Sequence, residues 1–388
     1  EMFLATKDKP LATTITGSLP RPEWYTSGLD GRAFSLAMGD RIFREQYSDA
    51  VAISINDQWR AGVDVVSDGD MRFDIDVGGR AWHGYIHDRM GGMSPAKRSA
   101  ADLGPRRRES TPGDILHEVG ETRLPPTLIG PATRGDLEYA DIWRAAQRVT
   151  DKPVKLGSCC GQLTELLLDH EYYKDRVEAM MALSVAMNEE YHELADAGCP
   201  VIQLEEPCLH FNTEGELGIT LEQYVEAFNV ETTGLRDKAE IWCHTCWGNP
   251  FAQKIESGYV YKPILSYMDQ LDADVLTFET ATNGGEELEE IGAAISKDKK
   301  ICIGVLDHRS LQVERPDDIA ALIRKAMKYI EPERLILSSD CGFGRQGMSR
   351  VHAFYKMVAM VWGANIVRKE LGLDEAPIPA ADERYSFL

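Results

Sequence analysis

The stretch Ile241-Trp-Cys-His-Thr-Cys-Trp-Gly-Asn249 decides how the rest of the chain is read. An apolar lead-in runs straight into His244 and Cys246. Side chains two apart share one face of an extended strand, so this imidazole and this thiol would be presented together. A lone His-x-Cys is a weak signal, because free cysteine is among the most buried residue types and a buried histidine is commonly a satisfied core residue. Two later segments of the same form give it weight. Asp274-Val-Leu-Thr-Phe-Glu279-Thr is an apolar run ending in a carboxylate, and Leu335-Ile-Leu-Ser-Ser-Asp-Cys341-Gly is one ending in a thiol. In a barrel of parallel strands such ends converge on a single mouth, where that fold places its chemistry. The set suits a catalytic zinc, which takes three protein ligands of this kind and keeps a further position for substrate.

Outward from these segments, the chain repeats one unit: a short apolar strand, a polar turn, then a segment with helical spacing. Eight strand-like runs recur, at Thr13–Ser18, Val63–Ser67, Pro153–Gly157, Val201–Leu204, Glu240–Cys243, Val275–Phe278, Ile301–Leu306 and Leu335–Ser338. Eight is the number that closes a (β/α)8 TIM barrel, and an α/β fold of that kind is the expectation. Residues 41–60 and 171–197 carry apolar residues at three- and four-residue spacings. A helix is also expected from Pro316, where proline and two acids suit an N-terminus, and a last one over 351–371. The whole of 1–388 reads as a single catalytic domain. Within it, 84–130 is an irregular excursion after the second strand, rich in Gly, Arg and Ser (Pro105-Arg-Arg-Arg-Glu-Ser110), placed to act as a lid or to hang as a surface loop. Residues 373–388 read as a tail lying on the barrel or on a neighbouring subunit of a homo-oligomer.

A chain of 388 residues with 43% hydrophobic and 27% charged residues can bury a sizeable core. Its 63 acidic against 42 basic residues, net −21, repel phosphate on average and argue against a nucleic-acid or anionic-membrane partner. No apolar run is long enough to span a bilayer, the first residues lack a signal-peptide pattern, and a cytoplasmic enzyme is expected. Eight cysteines are too sparse for a disulfide scaffold. Gly342-Phe-Gly-Arg-Gln-Gly347 spells a dinucleotide fingerprint, but its first glycine directly follows a candidate ligand at the end of the last strand, so an anion site or a plain turn reads better.

The residues following the strands are Ser18, Asp68, Asp70, Ser158, Cys159, Glu205, Glu206, His244, Cys246, Glu279, Asp307, His308, Arg309, Asp340 and Cys341. Such a polar mouth needs a cation or an ammonium group to balance its carboxylates. Zinc held by thiolates lowers the pKa of a substrate thiol from about 8.5, which points to thiol alkylation.

The segments Thr13–Pro20, Gln203–Pro207, His244-Thr-Cys246, Asp272–Thr280 and Ser339–Gly342 resemble the catalytic barrel of the cobalamin-independent methionine synthases, over nearly the whole chain and in the manner of the short, single-barrel members. The resemblance implies zinc held by His244, Cys246, Glu279 and Cys341, an acceptor pocket lined by Thr16, Gly17 and Ser18, and an acceptor ammonium group held by Asp70 and Glu205. Three departures stand out. The family has Glu at the first of those two carboxylate positions and Asp at the second, the reverse of this chain. The Trp that folate-using members place after the third strand is absent from Gly161–Leu168, so a corrinoid-bound methyl or another electrophile is expected as donor in place of folate. The family's acidic His near the seventh strand is matched by Arg309, with His308 beside it and Asp307 before it as the remaining catalytic candidates. Methyl transfer to homocysteine or a related thiol is the leading expectation. The similar epoxyalkane:coenzyme M transferases are the alternative, with Arg72, Arg309 or Arg345 meeting a sulfonate. A non-catalytic zinc-binding barrel is the alternative of another class.

Overall fold

The computed structural model of the protein describes residues 4–80, 82–97, 111–213, 215, 217–255, 260–345 and 347–387. The arginine-rich run 105–110 lies outside them. Eight strands form one parallel sheet: β1 (Ala12–Thr13), β2 (Val66–Ser67), β3 (Val154–Cys159), β4 (Val201–Glu205), β5 (Glu240–His244), β6 (Val275–Phe278), β7 (Lys300–Leu306) and β8 (Leu335–Ser339). The sheet order runs from β1 through β8, β7, β6, β5, β4 and β3 to β2. Its two edges meet through a parallel bridge between Thr14 and Val65, with the amide of Val65 donating to the carbonyl of Thr13 at 3.0 Å. The sheet is therefore a closed barrel, and each expected strand falls on an observed one.

Helices fill the outer layer where the apolar spacing places them. The helix Arg41–Ala61 starts at Asp40, whose carboxylate accepts from the amides of Ile42 and Phe43, and stops at Gly62 in the left-handed conformation, φ +85°. The helix expected over 171–197 begins only at Arg176, because Asp169–His170 pairs as a short strand with Thr127–Leu128 and Asp175 caps the helix. The helices Pro316–Ala326 and Arg350–Glu370 complete the ring and lie against each other. The excursion after β2 holds secondary structure of its own. Gly91–Lys97 pairs antiparallel with Pro126–Thr133, Ile75–Asp76 with Gly79–Arg80, and short helices run over Trp82–His87 and Ile115–Thr122.

Strand parity sorts the barrel into an outer core and a lumen. Along β5, Ile241 and Cys243 join the large cluster beneath the helices, whereas Trp242 packs with Val65, Val201, Val275, Cys302 and Ile336 inside the barrel. The N-terminal segment plugs the end below them. Glu240 accepts from the amides of Ala5 and Thr6, at 2.5 and 2.8 Å, and from the indole of Trp242. With that end filled, the inward residues of the last turn of each strand face the opposite mouth. Among the described residues no helix is long and apolar enough to cross a membrane.

Candidate metal centre

The same parity that buries Trp242 turns His244 into the mouth, and the chain leaving β5 carries Cys246 beside it. Cys341 arrives at the end of β8. Ligand atoms of His244, Cys246 and Cys341 all lie within 4.8 Å of one another, and the two sulfurs are 3.5 Å apart. All three side chains are buried; among the described residues neither ring nitrogen of His244 makes a well-formed hydrogen bond, its Nε2 standing 3.3 Å from Glu206 Oε1. A buried imidazole facing two thiols without a well-formed hydrogen bond is costly unless something binds there. The donor set fits a soft or borderline divalent ion such as zinc.

The proton affinities of the three groups are set largely by their contacts with one another. The hydrogen bond from Cys246 holds the Cys341 thiol well below the ordinary thiol value, burial opposing it and His244 assisting. The same contact, with burial, pushes Cys246 well up. Burial alone would lower His244, but the hydrogen bond and charge of Cys341 together with Glu206 outweigh it and raise the imidazole to about 9.

Glu279, expected as the fourth ligand, is outside the group of three whose ligand atoms lie within 4.8 Å, as is Glu206, and its charge still acts on Cys246. Its Oε1 accepts from Arg309 at 2.5 Å and from the Thr282 hydroxyl at 2.7 Å, and its Oε2 from the Trp247 amide at 2.8 Å and from Arg309 at 3.2 Å. Asp340, one position before Cys341, fixes the loop that carries it by accepting from the amides of Thr280, Ala281 and Thr282, each at 2.9 Å. The carboxylate against the triad is Glu206, with Oε1 3.2 Å from Cys246 Sγ and 3.3 Å from His244 Nε2. His210 holds it from behind, Nε2 to Oε2 at 2.8 Å. Sequence reasoning placed Glu206 at the mouth without giving it a role and missed His210. The one available signal was an imidazole four residues after the Glu205-Glu206 doublet.

Of the expected catalytic residues, His308 is buried with both ring nitrogens unpartnered among the described residues; burial lowers its pKa, against the charge of nearby Cys341. Asp307 orders its own loop, accepting from the amide of Arg309 at 2.8 Å. Arg309 also reaches the carbonyl of Gly248 at 2.6 Å.

The expected acceptor-binding residues divide. Glu205 projects inward from the end of β4. Burial raises its carboxyl, with His244 opposing and Cys341 adding to the rise, so it shares the triad's surroundings. Its Oε1 accepts from Gln203 at 2.8 Å, and Gln203 in turn takes the buried ammonium of Lys155 at 2.9 Å, a lumen chain that sequence reasoning did not single out. Asp70 is raised to about 7 by burial, against Arg72, which donates to its Oδ1 at 3.0 Å. Arg72 is itself fully buried, spans Asp68, Asp70 and the carbonyl of Gly157, and is not available to a sulfonate. Thr16 is committed to Ser338, hydroxyl to hydroxyl at 2.7 Å. Gly17 and Ser18 form the bed for the loop after Cys341. A Cβ on Gly17 would come within 2.8 Å of Gly342 Cα, and Gly344 donates to the carbonyl of Ser18 at 2.8 Å. Gly342 and Gly344 thus serve backbone approach here. Arg345 lies against Gly79 of the excursion.

Fold and site together define a TIM barrel with a buried histidine–dithiol centre at its catalytic mouth. The chain belongs to the cobalamin-independent methionine synthase family: residues 107–364 match the family model described as the catalytic domain of the cobalamin-independent synthase. It is 28% identical to a methionine synthase from Saccharolobus islandicus over 362 residues, covering 93% of this chain and 96% of that one. To a methionine synthase from Thermococcus kodakarensis it is also 28% identical, over 93% of this chain and 94% of the relative. Among solved structures, a B12-independent methionine synthase from Shewanella sp. W3-18-1 in complex with selenomethionine superposes with TM-score 0.73 at 22% identity, covering 93% of this chain and 99% of that one. A putative vitamin-B12-independent methionine synthase from Listeria monocytogenes gives 0.65 at 18%, over 91% and 96%. These likenesses support the TIM-barrel fold. A family defined as cobalamin-independent gives no support to the expected corrinoid-borne methyl.

Proposed function

We propose that this protein is a zinc-dependent methyltransferase that alkylates the sulfur of homocysteine or a closely related amino thiol. The observation that carries the reading is the buried His244–Cys246–Cys341 triad, its ligand atoms within 4.8 Å of one another, at the mouth of a barrel of this family. Those three residues would hold the ion, and zinc bound there supplies the Lewis acidity that makes a thiol a thiolate at neutral pH. The chain's own residues do the rest. Glu205 and the Oδ2 side of Asp70 receive the acceptor's ammonium group, a charge-assisted contact that orients the sulfur toward the triad. His308, kept neutral by burial and with both ring nitrogens unpartnered among the described residues, is the group placed to accept the proton that the acceptor thiol sheds and to pass it to the departing donor.

The test is turnover of zinc-reconstituted protein with homocysteine or coenzyme M as acceptor, each offered methyltetrahydrofolate, methylcobalamin and an epoxyalkane as donor. Thioether formed from homocysteine, with Cys341→Ser and His244→Ala losing both bound zinc and at least about 100-fold in rate, is the expected result. Turnover of coenzyme M with no use of homocysteine would overturn the acceptor assignment, and full activity of zinc-free protein would overturn the chemistry.

A further inference from the structure

We infer that Gly157, Gln203 and Lys155 are positioning residues for Glu205, seating one oxygen of its carboxylate against the barrel floor and leaving the other to the acceptor's ammonium group. The inference rests on the acceptor reading above and adds three residues that reading does not use. Parity and register bring them together. Lys155 and Gly157 lie two apart on β3, Gln203 and Glu205 two apart on β4, and the parallel pairing sets Gly157 directly beside Gln203. On its other side Gln203 pairs with Trp242, the indole of the lumen.

The order of donors and acceptors fixes the direction of this chain of groups. An ammonium group only donates, so Lys155 Nζ, 2.9 Å from Gln203 Oε1, holds the amide with its oxygen toward the floor. The amide NH2 is then the end that faces Glu205, and it donates to Oε1 at 2.8 Å. Lys155 is itself held against Trp242, its Nζ 5.0 Å from the ring centre. Without the ammonium the amide loses the partner that tells its two ends apart, and an oxygen turned to the carboxylate would repel it. Burial lowers the ammonium to about 8, with Cys302, Glu205 and Asp70 opposing, so both carboxylates act on its charge. Gly157 supplies the room. A Cβ there would stand 2.9 Å from Glu205 Oε1, and its next neighbours, Gln203 Nε2 and Glu205 Cδ, are at 3.7 Å. Its carbonyl meanwhile accepts from Arg72, which donates to Asp70, so one residue touches the supports of both carboxylates. Among the described residues Glu205 Oε2 receives no hydrogen bond, which leaves it open to an ammonium group.

Affinities of the zinc-loaded protein for L-homocysteine and for γ-mercaptobutyrate, the same thiol without its amino group, are measured by calorimetry for wild type, Gly157→Ala and Lys155→Met. Wild type is expected to favour homocysteine. Gly157→Ala removes no polar group and meets only the far end of a flexible side chain. It is expected to weaken homocysteine at least about fivefold and γ-mercaptobutyrate less than about twofold. Lys155→Met is expected to follow the same pattern. In a Glu205→Asp background, where the carboxylate is withdrawn, Gly157→Ala is expected to cost less than about twofold. A smaller loss of homocysteine in Gly157→Ala, or an equal loss of both thiols, overturns the inference and leaves the acceptor reading standing. Should Lys155→Met fail to fold, Gly157→Ala decides by itself on the same readouts. Wild type that binds the two thiols equally would remove the ammonium contact, and this inference with it.

Discussion

Arg72 shows how a residue singled out for binding can instead hold the site together. Its guanidinium is sealed beneath Phe73, Tyr85 and Tyr139, with centroid distances of 4.3, 5.3 and 5.6 Å, and serves Asp68, Asp70 and a carbonyl of β3. Removing one member of a buried ion pair strands the other without water or counter-charge. Arg72→Met is therefore expected to lower stability by roughly 3–5 kcal/mol, measured by urea denaturation; a change within about 1 kcal/mol would show that the pairing contributes little. At this scale the sequence was legible for His244, Cys246 and Cys341, because strand parity and strand ends dictate where such side chains point. It did not record the pairing of Glu279 with Arg309, which comes from the loop after a different strand. Nor was it legible for Glu206, because two adjacent carboxylates at a strand end look alike until the backbone turns at Glu206 and His210 comes up behind it.

Between elements, the clearest titrating joint is Glu231, near the end of the helix Leu221–Thr232. It accepts from the amide of Gly161, which opens the helix Gly161–Leu166 after β3, at 2.9 Å, and from the Ser184 hydroxyl at 3.4 Å. Burial raises its carboxyl from 4.5 to about 8 despite those bonds. The unfolded chain sheds this proton first as pH rises, so the native state binds more protons over the interval between the two values. The stabilisation is complete below the unfolded value and is lost as pH climbs through about 8. Urea midpoints taken at about pH 5.5 and about pH 8.5 should fall for the wild type and fall markedly less for Glu231→Gln; equal slopes would contradict this coupling. The elements themselves were largely readable, since periods of two and of three to four residues fix which runs become strands and which become helices. Their ends were less so. The late start of the helix at Arg176 follows from a strand pairing with residues of the excursion, a contact between distant parts of the chain that no local spacing records.

For the whole molecule, the closed ring of strands converts a linear order into one site. Residues as far apart as Thr16 and Ser338, or His244 and Cys341, become neighbours because the strands close into a ring, with β1 beside β8, and deliver their last inward side chains to the same mouth. Trp242 and the Glu240-anchored N-terminal segment fill the other end, so the polar residues concentrate on one face. Barrel and mouth could be foreseen from eight apolar runs with ionisable residues at their ends; the lumen chain Lys155–Gln203–Glu205 could not, since a buried lysine reads as a surface one until its neighbours are known. The account stands on the imidazole and two thiols gathering on one ion. Zinc K-edge X-ray absorption of the protein loaded with one equivalent of zinc tests this most directly. Two sulfur and two nitrogen or oxygen scatterers at about 2.3 and about 2.0 Å are predicted; a shell of light atoms alone would contradict it.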